Sequence, residues 1–134
     1  MDVRASAQYL PISPQKIRLV CDQVRGMNPM AALDVLNNMP QKGAPLVWKV
    51  VKSAVSNAEN NFEIDPAGMF ISQIYANEGP RRQWRRFGAR GRFKPLIRRT
   101  AHVTVVLSER EEAAPAAKPA RRTTTRSSRT KQEK

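Results

Sequence analysis

The sequence predicts an α+β domain: three helices packed on a small three-stranded antiparallel sheet, with a long protruding β-hairpin and a basic C-terminal tail. Three observations lead there. One strand pattern comes first, three helical patterns follow and two strand patterns close the folded part, an order that suits α+β and not alternating βαβ units. Two apolar, β-branched segments, 69–76 and 100–107, bracket a cationic stretch with turn residues Gly88 and Gly91 at its middle. The formal net charge of +13, from 24 basic and 11 acidic residues, is concentrated in part of the chain. Residues 1–77 hold seven basic against six acidic residues, residues 78–110 ten against two, and residues 111–134 seven against three. A nearly neutral body with charged appendages is how a fold with nucleic-acid arms looks.

Residues 2–10 alternate Val3, Ala5, Ala7 and Tyr9 with Arg4, Ser6 and Gln8, which predicts a short strand with the first set on one face. Ser13 and Pro14 then offer a side-chain cap and a proline at the first helical position. Ile17, Val20, Cys21 and Val24 follow at the spacing of one helical face, and Gly26 is expected to end that helix. Its other face carries Lys16, Arg18 and Arg25, for which a solvated surface and an RNA contact are both open readings. Asn28 and Pro29 repeat the cap-and-proline device before Ala32, Leu33, Val35, Leu36 and Met39, and Pro40 closes the second helix. The third runs from about Ala44 to Asn60 with Val47, Val50, Val51, Ala54 and Ala58 in one stripe, and the small residues Ser53, Ala54, Asn57 and Ala58 permit close approach to a neighbour. Asn60, Asn61, Asp65 and Pro66 mark the turn into the hairpin.

The hairpin's parity follows from which pairing puts like faces together, because a one-residue slip turns every side chain over. Ile74 opposite Val103 or Val105 places Ile74, Ala76, Val103, Val105 and Leu107 on one face; both registers satisfy this. Three strands sharing that face make the minimum independent sheet. Between Gly79 and Ser108 stand nine Lys or Arg residues and no acid, with Trp84, Phe87 and Phe93 among them. About eleven residues per arm would reach on the order of 35 Å, against a radius of gyration near 12 Å for a body of about 80 residues. An isolated two-stranded ribbon is marginal in water and like charges repel along it, while Pro80 and Pro95 remove ladder donors. A partner must therefore hold it. Arginine forks match phosphates and stack on bases, and interleaved aromatic rings suit unpaired bases, so the partner read from these residues is nucleic acid.

Other functions find little support. The one histidine, His102, lies within a strand pattern, Cys21 has no nearby His, no paired cysteines suggest a metal site, and no phosphate-cradling glycine loop occurs, so no enzyme, cofactor or metal is expected. A lone cysteine is compatible with a reducing compartment. The start of the chain does not read as a signal peptide, no apolar run is long enough to span a bilayer, and residues 81–99 lack the continuous apolar helical face of a membrane-surface peptide. A cytoplasmic protein is expected. Residues 111–134 have no apolar periodicity and read as a low-complexity basic tail, disordered alone and able to order along phosphates.

The chain resembles the large-subunit ribosomal protein family uL22, also called L22, in its bacterial form. The resemblance is carried by Ser13, Pro14, Gln15, Lys16, Arg18, Leu19, Val20, Asp22, Val24, Arg25 and Gly26, and by Ser53, Ala54, Asn57, Ala58, Glu59 and Asn60. It continues through Glu78, Gly79, Pro80, Ala89, Arg90, Gly91, Arg92, Ile97, Arg98, Arg99, Thr100 and the run 102–106, covering about residues 3–109 in order. It implies one such domain over residues 1–110, with a body of 1–77 and 101–110 and a hairpin of 78–100. It further implies a structural constituent of the large ribosomal subunit, in the cytoplasm, that binds the large-subunit (23S) rRNA and supports its assembly. Expected partners are that rRNA, other large-subunit proteins and the nascent polypeptide, with no small-molecule substrate, membrane or homo-oligomer. By resemblance, Gly88, Ala89, Arg90, Gly91 and Arg92 belong at a tip lining the nascent-peptide exit tunnel. Arg81, Arg82, Arg85, Arg86, Arg90, Arg92, Lys94, Arg98 and Arg99 would meet rRNA along the hairpin, and Lys16, Arg18, Arg25 and His102 from the body. The chain departs from the family at Phe87 and Gly88, where Pro and Arg are common, at Ala101 in place of Ser, and in its tail from Glu111. The residues alone also admit a free-standing architectural protein that inserts a β-ribbon into a groove, or a protein-interaction or membrane-surface module.

Overall fold

The computed structural model describes residues 2–109. Strand β1 (Asp2–Leu10) leads into helices α1 (Pro14–Val24), α2 (Pro29–Asn38) and α3 (Ala44–Phe62), followed by strands β2 (Met69–Glu78), β3 (Arg82–Phe87), β4 (Phe93–Arg98) and β5 (Ala101–Glu109). β1, β5 and β2 form a three-stranded antiparallel sheet with β5 in the middle, whereas β3 and β4 pair separately as a two-stranded ribbon. The α+β class is thus as the pattern predicts. The expected tail at 111–134 lies outside the described residues.

One face of the sheet buries Val3 and Ala5 from β1, Ile71, Ile74 and Ala76 from β2, and Val103, Val105 and Leu107 from β5. Against them pack Ile17, Val20, Cys21 and Val24 of α1, Ala32 and Leu36 of α2, and Val47, Val50, Val51, Ala54 and Ala58 of α3. Ala54 and Ala58 are fully buried where α3 lies against β1 and β5, so the small side chains let that helix approach the sheet closely. A fully buried Val, Leu or Ile stabilises by about 1.5–3 kcal/mol. No core residue lies between 77 and 100. The hydrophobic stabilisation of the body therefore owes nothing to the ribbon.

Of the two admissible registers the structure takes Ile74 opposite Val105, with Ala76 opposite Val103. A bulge at Ser72 separates the pairs Ile71 with Leu107 and Gln73 with Val106. The extra residue changes parity, so Ile71 and Ile74, three positions apart, both reach the core. The Ser72 hydroxyl donates to the Val106 carbonyl at 3.2 Å, tying down the displaced backbone.

Some local expectations are met, among them the Asn28 cap and Gly26 just past the end of α1, and others are corrected. Ser13 occupies the N-cap of α1 but its side chain makes no capping bond, leaving Pro14 as the start signal. Asn28 does cap α2, its side-chain oxygen accepting from the Met30 amide at 2.9 Å. α1 ends at Val24, and Gly26 takes φ +78° while its amide donates to the Ile71 carbonyl at 3.0 Å. Asn60 and Asn61 are helical; α3 continues to Phe62 and is closed by Glu63 at φ 55°. Tyr9, expected on the same face as Val3, Ala5 and Ala7, is 62 % exposed: the β1–β5 pairing becomes irregular between Ala7 and Leu10, and Tyr9 takes φ 56° there.

Candidate nucleic-acid interface

The sequence reading carries one hairpin through residues 78–100, but the structure breaks it at the root. Pairing in the body ends at Glu78 opposite Ala101 and resumes at Arg82 opposite Arg98, one residue out of step. Pro80 has no N–H to donate, so the ladder cannot run through it. Three contacts bridge the gap. The Gly79 amide donates to the Thr100 carbonyl at 2.9 Å, the Thr100 hydroxyl donates to the Pro80 carbonyl at 2.8 Å, and Arg81 pairs with Glu78. The hydrogen bond and the positive charge of Arg81 hold the Glu78 carboxyl below the usual carboxylate range. Gly79 is required by close approach: a Cβ there would lie 2.5 Å from Thr100 Oγ1 and 3.1 Å from His102 Nε2.

Beyond the root, β3 and β4 pair at six positions, a ladder of about 20 Å at the usual rise. Residues directly opposite share a face. One face thus carries Arg82 with Arg98, Trp84 with Leu96, and Arg86 with Lys94. The other carries Gln83 with Ile97, Arg85 with Pro95, and Phe87 with Phe93. The ribbon is therefore two-sided, four cations around Trp84 on one side and an apolar surface with the single cation Arg85 on the other. The Phe87 and Phe93 rings lie 5.1 Å apart, and the Arg85 guanidinium sits 5.9 Å from the Phe93 ring. Every β3 residue is exposed; Trp84 is 61 % and Phe87 84 % accessible. The body does not cover this surface.

At the tip, Ala89–Gly91 forms one 3₁₀ turn, with Arg90 in the left-handed region at φ 57° and Gly91 at φ +72°. The Gly88 amide donates to the Arg92 carbonyl at 2.6 Å, and a Cβ at Gly88 would lie 2.9 Å from that oxygen. Gly88 and Gly91 are turn residues, as expected. Ala89, Arg90, Gly91 and Arg92 are all exposed.

On the body, two of the predicted basic residues have structural partners. Arg18 Nε donates to the Ala76 carbonyl and Arg25 Nη2 to the Ile74 carbonyl, each at 3.1 Å. β2 lies at the sheet margin, and these guanidinium groups satisfy alternate carbonyls along it, which blunts an edge that could template another strand. Arg25 also bridges to Asp22 at 2.9 Å. His102 accepts at Nδ1 from the Tyr9 amide at 3.1 Å, with the rings edge-on at 4.8 Å, so it anchors the irregular end of β1. Lys16 is exposed and lines a cleft with Arg98, Arg99 and Lys42. Sequence reasoning missed Lys42, whose position between two helices gave no periodic signal.

A neutral scaffold that carries a solvent-exposed, cationic, ring-bearing ribbon defines a class of structural proteins suited to engaging a polyanion. Among the described residues no group of His, Cys, Asp or Glu could hold a metal, and no helix is long and apolar enough to cross a membrane. The family model for ribosomal protein L22p/L17e matches residues 5–108. Over 110 residues the chain is 46 % identical to the large ribosomal subunit protein uL22 of Clostridium novyi, covering 82 % of this chain and 99 % of that one. It is 45 % identical over 113 residues to uL22 of Thermomicrobium roseum, covering 84 % and 95 %. With uL22 of Clostridium tetani the figures are 42 % over 111 residues, 83 % and 100 %. The chain belongs to the ribosomal protein L22p/L17e family. It is accordingly a structural constituent of the large ribosomal subunit, in the cytoplasm, and not an enzyme.

Proposed function

We propose that this protein binds the large-subunit (23S) rRNA through its ribbon and the adjoining body, and that residues 88–92 at the tip line the nascent-peptide exit tunnel. The observation that carries the reading is the uncovered ribbon: nine cations without an acid between Gly79 and Ser108, five of them on the strands β3 and β4, which contribute no residue to the core of their own protein. A ribbon in that state needs counter-charge, and folded RNA supplies phosphates along both sides together with bases for exposed rings. Arg82, Trp84, Arg86, Lys94 and Arg98 are assigned to one wall of such a passage and Arg85, Phe87 and Phe93 to the other. Arg81 and Arg99 are assigned to its entrance. Arg90 and Arg92 sit at the apex, where the same passage would open on a polypeptide. For Arg18, Arg25 and His102 the intramolecular bonds account for much of their placement, and any RNA contact uses the donor atoms left over.

Binding of the full chain to large-subunit rRNA, measured across monovalent salt, tests the first part. Affinity should fall linearly in log–log form by about 0.7–0.9 per phosphate contacted. Equal affinity for arbitrary duplex DNA would instead indicate an architectural groove binder. For the tunnel, a photo-crosslinker placed at Ala89 in assembled ribosomes should capture the nascent chain, whereas one at Gln83 should capture RNA. Capture of the nascent chain at neither position, or at Gln83 alone, would defeat the tip assignment.

A further inference from the structure

Where ribbon meets body there is a cleft of about 350 Å³ whose charged lining is Lys16 from α1, Lys42 from the loop before α3, and Arg98 and Arg99 from the ribbon root, with Ile12 and Ile97 as apolar wall. Among the described residues no acidic side chain lines it. The neighbouring depression, which shares Ser13 and Arg99 with it, is different: it contains Glu78 and Arg81, and these two neutralise one another. The backbone that carries Lys42 is set against α1: the Ala44 amide donates to the Gln41 carbonyl at 2.9 Å, and buried Gly43 lies beside Val20, where an added Cβ would be in ordinary contact at 3.4 Å from Val20 Cγ2. The ribbon strands pack chiefly on each other and share no extensive contact with any body element.

We infer that this cleft seats one backbone phosphate of the RNA, held by Lys16 and Lys42 on the body side and by Arg98 and Arg99 on the ribbon side, and that this seat fixes the angle at which the ribbon leaves the body. Four positive groups from three separate segments converge without an acid, so in the free protein they repel one another across the joint. A bound anion turns that repulsion into a bridge, and two arginine forks opposite two lysines suit phosphate oxygens. A shallow surface charge run would not join two otherwise weakly packed parts. The inference rests on the rRNA reading above and adds a location and a mechanical role.

The test uses the full chain and a large-subunit rRNA transcript. Lys16→Gln with Lys42→Gln should reduce the magnitude of the log–log salt slope by about 0.7–0.9, the value for one phosphate, whereas Lys49→Gln on the exposed side of α3 should leave it unchanged. In a double-mutant cycle, Lys42→Gln should weaken binding markedly in the wild-type background and much less when Arg98→Gln and Arg99→Gln are already present, because both sides hold one group. All four side chains are on the surface, so the variants retain the core. Effects that simply multiply, or a lysine pair that behaves like Lys49→Gln, would overturn the shared seat while leaving rRNA binding intact. Salt-insensitive binding by the wild type would remove both readings.

Discussion

Adding one methyl group at Gly79 should damage the root of the ribbon out of proportion to its size. A Cβ there would stand 2.5 Å from Thr100 Oγ1, 3.2 Å from the Thr100 carbonyl carbon and 3.1 Å from His102 Nε2. The hydroxyl can turn away only by giving up its 2.8 Å bond to the Pro80 carbonyl, a loss of about 1 kcal/mol. The carbonyl carbon cannot turn away, and forced overpacking costs about 1–3 kcal/mol. The lower entropy of the unfolded alanine chain returns about 0.4–1 kcal/mol. Gly79→Ala should therefore destabilise by about 2 kcal/mol, measured by urea unfolding, with faster hydrogen exchange at the residue 79 amide that is bonded to the Thr100 carbonyl. Thr100→Ala removes the nearest obstacle, so the double variant should lose less than the sum of the two single changes. A single variant within about 0.5 kcal/mol of wild type, with unchanged exchange at that amide, would refute the close-approach argument.

Three further outcomes are expected. Arg18→Ala and Arg25→Ala each uncover a β2 carbonyl and should cost about 0.5–1 kcal/mol in denaturant melts, since bonds of charged groups near solvent count for less than buried ones; loss of RNA affinity at full stability would assign them to RNA alone. Burial, reinforced by the charge of Asp22, pushes the Cys21 thiol from 9.0 up to about 11, so iodoacetamide at pH 8 should label the unfolded chain and spare the native one. Because the folded state holds that proton more tightly, the contribution is intact below the unfolded value and fades as pH rises from about 9 to about 11, which stability measurements across that window will show against a Cys21→Ala reference. Gly88→Ala sets a Cβ 2.9 Å from the Arg92 carbonyl oxygen, so amide chemical shifts of residues 88–93 should move while the melting temperature stays within a few degrees.

Alternation made the faces of β2 and β5 readable from residue types, and helix spacing identified the buried stripes of α1 and α3 correctly. The bulge at Ser72 left no trace in the sequence, because its effect is to bring Ile71 into line with Ile74 and only the pairing with β5 reveals it. The interruption at Gly79 was half visible: Pro80 announces a missing donor, but the one-residue offset between the two ladders depends on contacts with Thr100. Charge was the least informative about placement. Arg18 and Arg25 look like a free cationic face in sequence, yet their guanidinium groups bond to carbonyls more than forty positions away. Lys42 has no pattern around it and acquires its neighbours only when the loop before α3 folds against α1.

The absence of core residues between 77 and 100 divides the molecule into two parts with separate supports. The scaffold's interior is complete without the ribbon, so an error in the ribbon need not make the scaffold unfold. One part of the chain owes its shape to a shared interior, and the other to no more than a ladder of six pairs and the turn at its end.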